Sequence, residues 1–220
     1  MNHRSPSASP HQGQPVRTAG AKLGSARAAM VMVHGRSATA ESILSLVQAI
    51  DAPGFAYLAP QAAGNTWYPN SFRSPIPSNE PGITSGLAAI SDLLKRIVDA
   101  GVPLERTMLL GFSQGACLSL EFAARHARRY GGVVGLSGGL IGPDDTPRDY
   151  HGSFDGTPIF LGCSDVDFHI PAERVHETAR VFEKMGADVS AKLYPGMDHI
   201  VNEDEVATVR AMMADVISAG

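Results

Sequence analysis

The chain is poor in cysteine, in charge and in long apolar runs, and each shortage excludes something. Two cysteines, Cys117 and Cys163, are too few for a disulfide framework and read as separate buried thiols of a reducing compartment. No apolar run approaches the roughly 18–20 residues that span a bilayer, so stable membrane insertion is not expected. Met1 to Gln14 is rich in Ser, Pro, His and Gln and lacks the apolar centre of a secretory signal, which makes a cytoplasmic location the expectation. Charged residues make up 18% of the sequence and sum to -4, with the basic ones scattered. A nucleic-acid partner is therefore not expected.

What is present suits one soluble domain. The 220 residues are 44% hydrophobic, enough for a single core, and 23 glycines with 15 prolines imply many tight connections. Residues 1–14 read as a flexible arm and 15–220 as the domain, with Val16 to Thr18 a short edge strand. Ala28 to Val33 and Phe55 to Ala59 are apolar runs expected of strands covered on both faces. Between them Thr39 caps a helix predicted to run through Ala49. Ile83, Leu87, Ile90, Leu94 and Ile97 recur at helical spacing, and Gly101 and Pro103 end that helix. Further strands are predicted at Thr107 to Leu110, Tyr130 to Leu136, Thr157 to Cys163 and Val189 to Leu193. Helices follow Ser113, precede Met185 and close the chain behind Asn202 to Glu205, a candidate capping box. Repeated strand–helix–strand units predict an α/β fold with a mostly parallel sheet and helices on both faces.

The chain is organised around Gly111-Phe112-Ser113-Gln114-Gly115. Gly-x-Ser-x-Gly between a buried strand and a helix forms a turn so tight that its serine sits in strained backbone, a nucleophile elbow. In a parallel sheet, sites form where strands reach their C-terminal ends. His34-Gly35-Arg36, Ser113, Asp165 to His169 and Asp198-His199 all fall there. A serine hydroxyl attacks well only when a base takes its proton, and the base needs an acceptor on its second nitrogen. Ser113, then Asp165 or Asp167, then His199 supplies those groups in the chain order of an α/β-hydrolase. The backbone amides of Arg36 and Gln114 occupy the positions of an oxyanion hole. His34 is read as shaping its loop, and the Arg36 guanidinium as a solvated group or a contact for an acidic substrate. Asp165, Asp167 and His169 lack the further ligands a metal site needs. The irregular stretch from Pro60 to Pro81 holds the only tryptophan. Trp67, Tyr68 and Phe72 are its candidate substrate-binding residues, with a packed anchor the alternative role for Trp67-Tyr68-Pro69.

His34-Gly35-Arg36, Gly111-Phe112-Ser113-Gln114-Gly115, Asp167-Phe168-His169-Ile170-Pro171 and Gly196-Met197-Asp198-His199 together resemble the carboxylesterase/phospholipase family of α/β-hydrolases, which includes acyl-protein thioesterases. The resemblance runs from about Val16 to the C-terminus. It selects Asp167 over Asp165, since the family's acid precedes a Pro-x-Val/Ile-Pro segment, although Phe168 replaces the usual proline and Asp198 a frequent glycine. It implies a Ser113-His199-Asp167 triad, no cofactor and a small-molecule ester substrate. The lack of a sizeable insertion between the strands at Val133 and Thr157 predicts no large lid, and an acyl pocket lined by Trp67 and Phe72 predicts short-chain or aryl acyl groups. A homodimer is compatible with it. The alternatives are a thioesterase or lysophospholipase acting on longer acyl chains and a non-catalytic binding protein on a hydrolase scaffold.

Overall fold

The structure, a computed structural model, describes residues 9–218. Seven strands form one sheet: β1 (Val16–Gly20), β2 (Ala28–Val33), β3 (Phe55–Pro60), β4 (Thr107–Phe112), β5 (Gly132–Leu136), β6 (Pro158–Ser164) and β7 (Asp188–Tyr194), in the order β1-β3-β2-β4-β5-β6-β7. The edge strand β1 is antiparallel to β3, and every other pairing is parallel.

Strand β2 shows why the interior strands read as unbroken apolar runs. Ala29, Val31 and Val33 enter the core under α3 (Gly82–Asp99), α4 (Gln114–Arg125) and α5 (Ala172–Lys184), while Ala28, Met30 and Met32 enter the core on the opposite face. The second core is covered by α1 (Ala40–Leu44), α2 (Val47–Ile50) and α6 (Glu203–Ser218). With neighbours above and below, no position of such a strand can be polar without cost.

The helix expected from Thr39 to Ala49 is two short ones. Thr39 caps α1 through a reciprocal bond with Ser42, as its position suggests. The hydroxyls of Ser42 and Ser45, however, turn back onto the carbonyls of Thr39 and Ser42, competing with the backbone for the same acceptors and favouring a break. At α6 the predicted capping box forms: the Asn202 amide donates to Glu205 Oε2 and the Glu205 amide to Asn202 Oδ1, both at 2.9 Å. Glu205 is fully buried and its Oε1 has no hydrogen-bond partner. Burial, with Asp204 nearby, pushes its carboxyl up to about 7 against the opposing Asn202 amide.

Among the described residues no inserted lid domain interrupts the sheet. Residues 137–157 cross its edge as a loop held by two buried charges. Arg174 donates to the carbonyls of Leu140 and Gly142 and pairs with Asp144, while Glu121 accepts from the Ile141 amide, the Tyr150 hydroxyl and Arg125.

Candidate active site

The strand order reverses direction at β2, so the loops leaving β2 and β4 part and open a crevice at the C-terminal edge of the sheet. Ser113 stands in that crevice at φ 54°, ψ -120°. This conformation costs a non-glycine residue energy, and the fold supplies the restraint. The Ser113 amide donates to the Leu136 carbonyl at 2.9 Å. Both flanking glycines are required by contact: a Cβ on Gly111 would lie 2.3 Å from the Gly115 carbonyl oxygen, and one on Gly115 would lie 2.2 Å from that of Val33. Helix α4 begins at once after Ser113 and aims its positive end into the crevice.

Two further loops reach Ser113. His199 Nε2 accepts from the Ser113 hydroxyl at 2.8 Å, and its Nδ1 bonds Asp167 Oδ2 at 2.6 Å. Because a carboxylate can only accept, this arrangement puts the ring proton on Nδ1 and leaves Nε2 free to take another. Asp167 is 8% exposed, and its Oδ1 accepts the amides of His169 and Ile170 at 2.8 and 3.1 Å. Burial raises its carboxyl, but His199 and the two amides outweigh burial and hold it below the usual range. Asp165 is turned to a different task. Its Oδ1 accepts from the Gly196 amide at 2.8 Å, tying the β6 loop to the loop that carries His199. Asp198 is exposed and does not bond the ring.

A cavity of about 450 Å³ opens beside Ser113 and is lined by Arg36, Tyr68, Phe72, Cys117, Ile170 and His199 among others. Tyr68 and Phe72, two of the three candidate substrate-binding residues, are in its wall. Cys117, one turn beyond Ser113, also reaches the cavity wall, and burial pushes its thiol up to about 11. It stays protonated at neutral pH and offers no competing nucleophile. Phe112 and His169 line the cavity as well. The sequence marks neither as a wall residue, since Phe112 reads as a spacer within Gly-x-Ser-x-Gly and His169 only as a candidate metal ligand.

Trp67 does not line the cavity. It is fully buried, and its indole Nε1 donates to the His34 carbonyl at 2.8 Å, since a buried indole N–H must find an acceptor. It is the anchor of the 60–81 loop. Its amide donates to Gln114 Oε1 at 2.9 Å, and Gln114 Nε2 donates to the Tyr68 carbonyl at 2.8 Å. Arg36 is exposed at the cavity wall, and its guanidinium also donates to the carbonyls of Tyr68, Pro69 and Asn70, so a group read as meeting solvent or a substrate acid braces the loop as well. His34 is buried, accepts the Ala62 amide at Nε2 and bonds the Gly35 carbonyl through Nδ1. That pattern fits only the neutral ring, and burial accordingly pulls its pKa down.

The stretch read as a flexible arm contributes an unforeseen residue. Residues 1–8 lie outside the described part of the chain, but His11 is buried beneath the Trp67 loop, its ring 5.0 Å from the indole. Its Nε2 bonds the Trp67 carbonyl at 2.8 Å, its Nδ1 accepts the Ala63 amide at 3.1 Å, and its own amide donates to Ser85. A histidine in a stretch rich in Ser, Pro, His and Gln carries no periodic signal that would mark it as buried.

A crystal structure of a phospholipase/carboxylesterase from Dyadobacter fermentans is 40% identical, with a TM-score of 0.88 over 92% of this chain and 97% of that one. Acyl-protein thioesterase 1 of Gibberella zeae is 30% identical over 141 residues, 60% of this chain. That match spans 57% of the fungal protein's length. Zea mays acyl-protein thioesterase 2, at 18% identity and a TM-score of 0.70, shares the fold. Residues 20–217 match the phospholipase/carboxylesterase family throughout, and the chain belongs to that family of α/β-hydrolases.

Proposed function

We propose that the protein is a serine hydrolase that cleaves carboxylic esters through an acyl-enzyme. The observation that carries this reading is the unbroken hydrogen-bonded path Ser113–His199–Asp167 at 2.8 and 2.6 Å. Ser113 Oγ attacks the ester carbonyl as its proton passes to His199 Nε2, and the ionised Asp167 holds the imidazolium in place. The amide of Arg36, on the loop after β2, and that of Gln114, at the start of α4, receive the negative oxygen. When the intermediate collapses, the carbon–oxygen bond to the alcohol breaks, and the alkoxide leaves with the proton from His199. Water then attacks the acyl-serine, gives its proton to the same nitrogen and releases the acid. Tyr68, Phe72 and Cys117 bound the space for the acyl group, and a cavity of about 450 Å³ suits short or aryl acyl groups.

Ser113→Ala should lower release of p-nitrophenol from short acyl esters by a factor on the order of 10⁶ in kcat, with the circular dichroism spectrum unchanged. Persistent turnover would sink the mechanism.

A second reading, thioester cleavage by the same groups, is favoured by the fungal relative named acyl-protein thioesterase 1. Oxygen esters and thioesters from acetyl to palmitoyl separate the two. A marked preference for long acyl thioesters would replace the ester reading.

A further inference from the structure

Among the described residues four large apolar side chains are prominently exposed: Val98, Val166, Phe168 and Ile200. One such residue needs no explanation, but three on a single pair of neighbouring loops do. Val166 and Phe168 flank Asp167, and Ile200 follows His199. Phe168 is the most exposed at 82%, and it stands where the sequence departs from the family's proline.

The Phe168 ring is nevertheless placed. It packs on His169 with centroids 4.0 Å apart, His169 meets His199 edge-on at 4.9 Å, and Phe112 packs on His199 at 5.1 Å. A continuous row of rings therefore runs from open surface to the group that bonds Ser113.

The chemistry gives that row a direction. Whatever departs from the acyl carbon must take its proton from His199 Nε2, so it leaves past the rings packed around that imidazole. The carbonyl oxygen faces Arg36 and Gln114, and the acyl group takes the cavity bounded by Tyr68 and Phe72. Asp165 and Asp198, both exposed on the same two loops, disfavour an anionic leaving group. Resting on the hydrolase reading above, the geometry points to Phe168, aided by Ile200, as the specificity-determining residue for the leaving group, selecting uncharged aryl alcohols or thiols.

The test compares acetate esters of 2-naphthol, phenol and ethanol in the wild type, Phe168→Ser, Ile200→Ser and Phe168→Trp. In the wild type kcat/KM should favour 2-naphthyl over phenyl acetate, two alcohols of closely matched acidity. Phe168→Ser should cut that ratio about three- to tenfold, Ile200→Ser should cut it less, and Phe168→Trp should restore it. The ratio of p-nitrophenyl acetate to p-nitrophenyl butyrate should not move. A change in that acyl ratio, or an equal loss on all three acetates, would overturn the assignment. So would sedimentation velocity showing that Phe168→Ser breaks a dimer while the naphthyl preference stays intact, since the patch would then serve a second copy. A wild type that turns over no ester or thioester and resists a fluorophosphonate probe would sink the hydrolase reading itself, and the leaving-group role with it.

Discussion

At the scale of single residues, the two aspartates of the β6 loop separate cleanly by what they touch. Asp167 holds the His199 ring, whereas Asp165 holds the Gly196 amide and so the loop beneath that ring. Asp167→Asn would allow the wrong imidazole tautomer and should lower kcat by about 10⁴. Asp165→Asn retains an acceptor for the amide and should cost roughly tenfold or less. Steady-state kinetics on one p-nitrophenyl ester decides between them, and a larger loss at Asp165 would reverse the assignment. Alternation along an extended loop points both carboxylates the same way, and in the sequence only the resemblance to the family favours Asp167. In the structure the turn at Asp167, closed by the His169 and Ile170 amides, separates them.

At the scale of elements, the start of α6 combines support for the base loop with an ionisable group buried at a cost. The folded value of Glu205, about 7, lies above the roughly 4.3 of an unfolded glutamate. Its stabilising, protonated form is therefore fully present below about pH 4.3, and the contribution is lost as pH rises through 7. Glu205→Gln stays neutral and keeps an acceptor for the Asn202 amide. It should match the wild type at pH 4 and exceed it at pH 8 by on the order of 1–3 kcal/mol, read as thermal denaturation midpoints. Equal midpoints at pH 8 would show that Glu205 ionises without penalty. The capping box itself was legible, since Asn-x-x-Glu ahead of an apolar stripe is a local signal. The burial of its glutamate over Gly162 of β6 was not, because contact between a helix end and a distant strand leaves no mark in either segment.

Across the whole molecule, the parallel sheet and the arrival of four loops at one edge followed from the alternation of apolar runs and helical stripes. What lies under those loops did not. The Trp67 anchor and the docking of His11 join segments far apart in sequence, and the Asn79 amide braces residues 70 and 71 within an irregular loop that has no periodic pattern. His11→Ala would leave the Ala63 amide and the Trp67 carbonyl without their partner and should destabilise the protein by about 2–3 kcal/mol. The pKa of His11, like that of His34, is drawn down by burial. The unfolded chain therefore takes protons first as pH falls below about 6.5, and stability falls with it. Thermal midpoints from pH 7 to pH 5 should drop less steeply in His11→Ala than in the wild type, and identical slopes would count against a neutral, buried ring.

The side chains of Arg36 and Gln114 end on the carbonyls and amide of residues 67–70, so the backbone proposed to stabilise the oxyanion and the wall that bounds the acyl group are one construction. For enzyme engineering this makes them a single transferable cassette. A loop graft that widens the cavity without carrying Arg36 and Gln114 contacts along would trade substrate range against turnover. Replacing Tyr68 or Phe72 in place would leave that backbone brace standing.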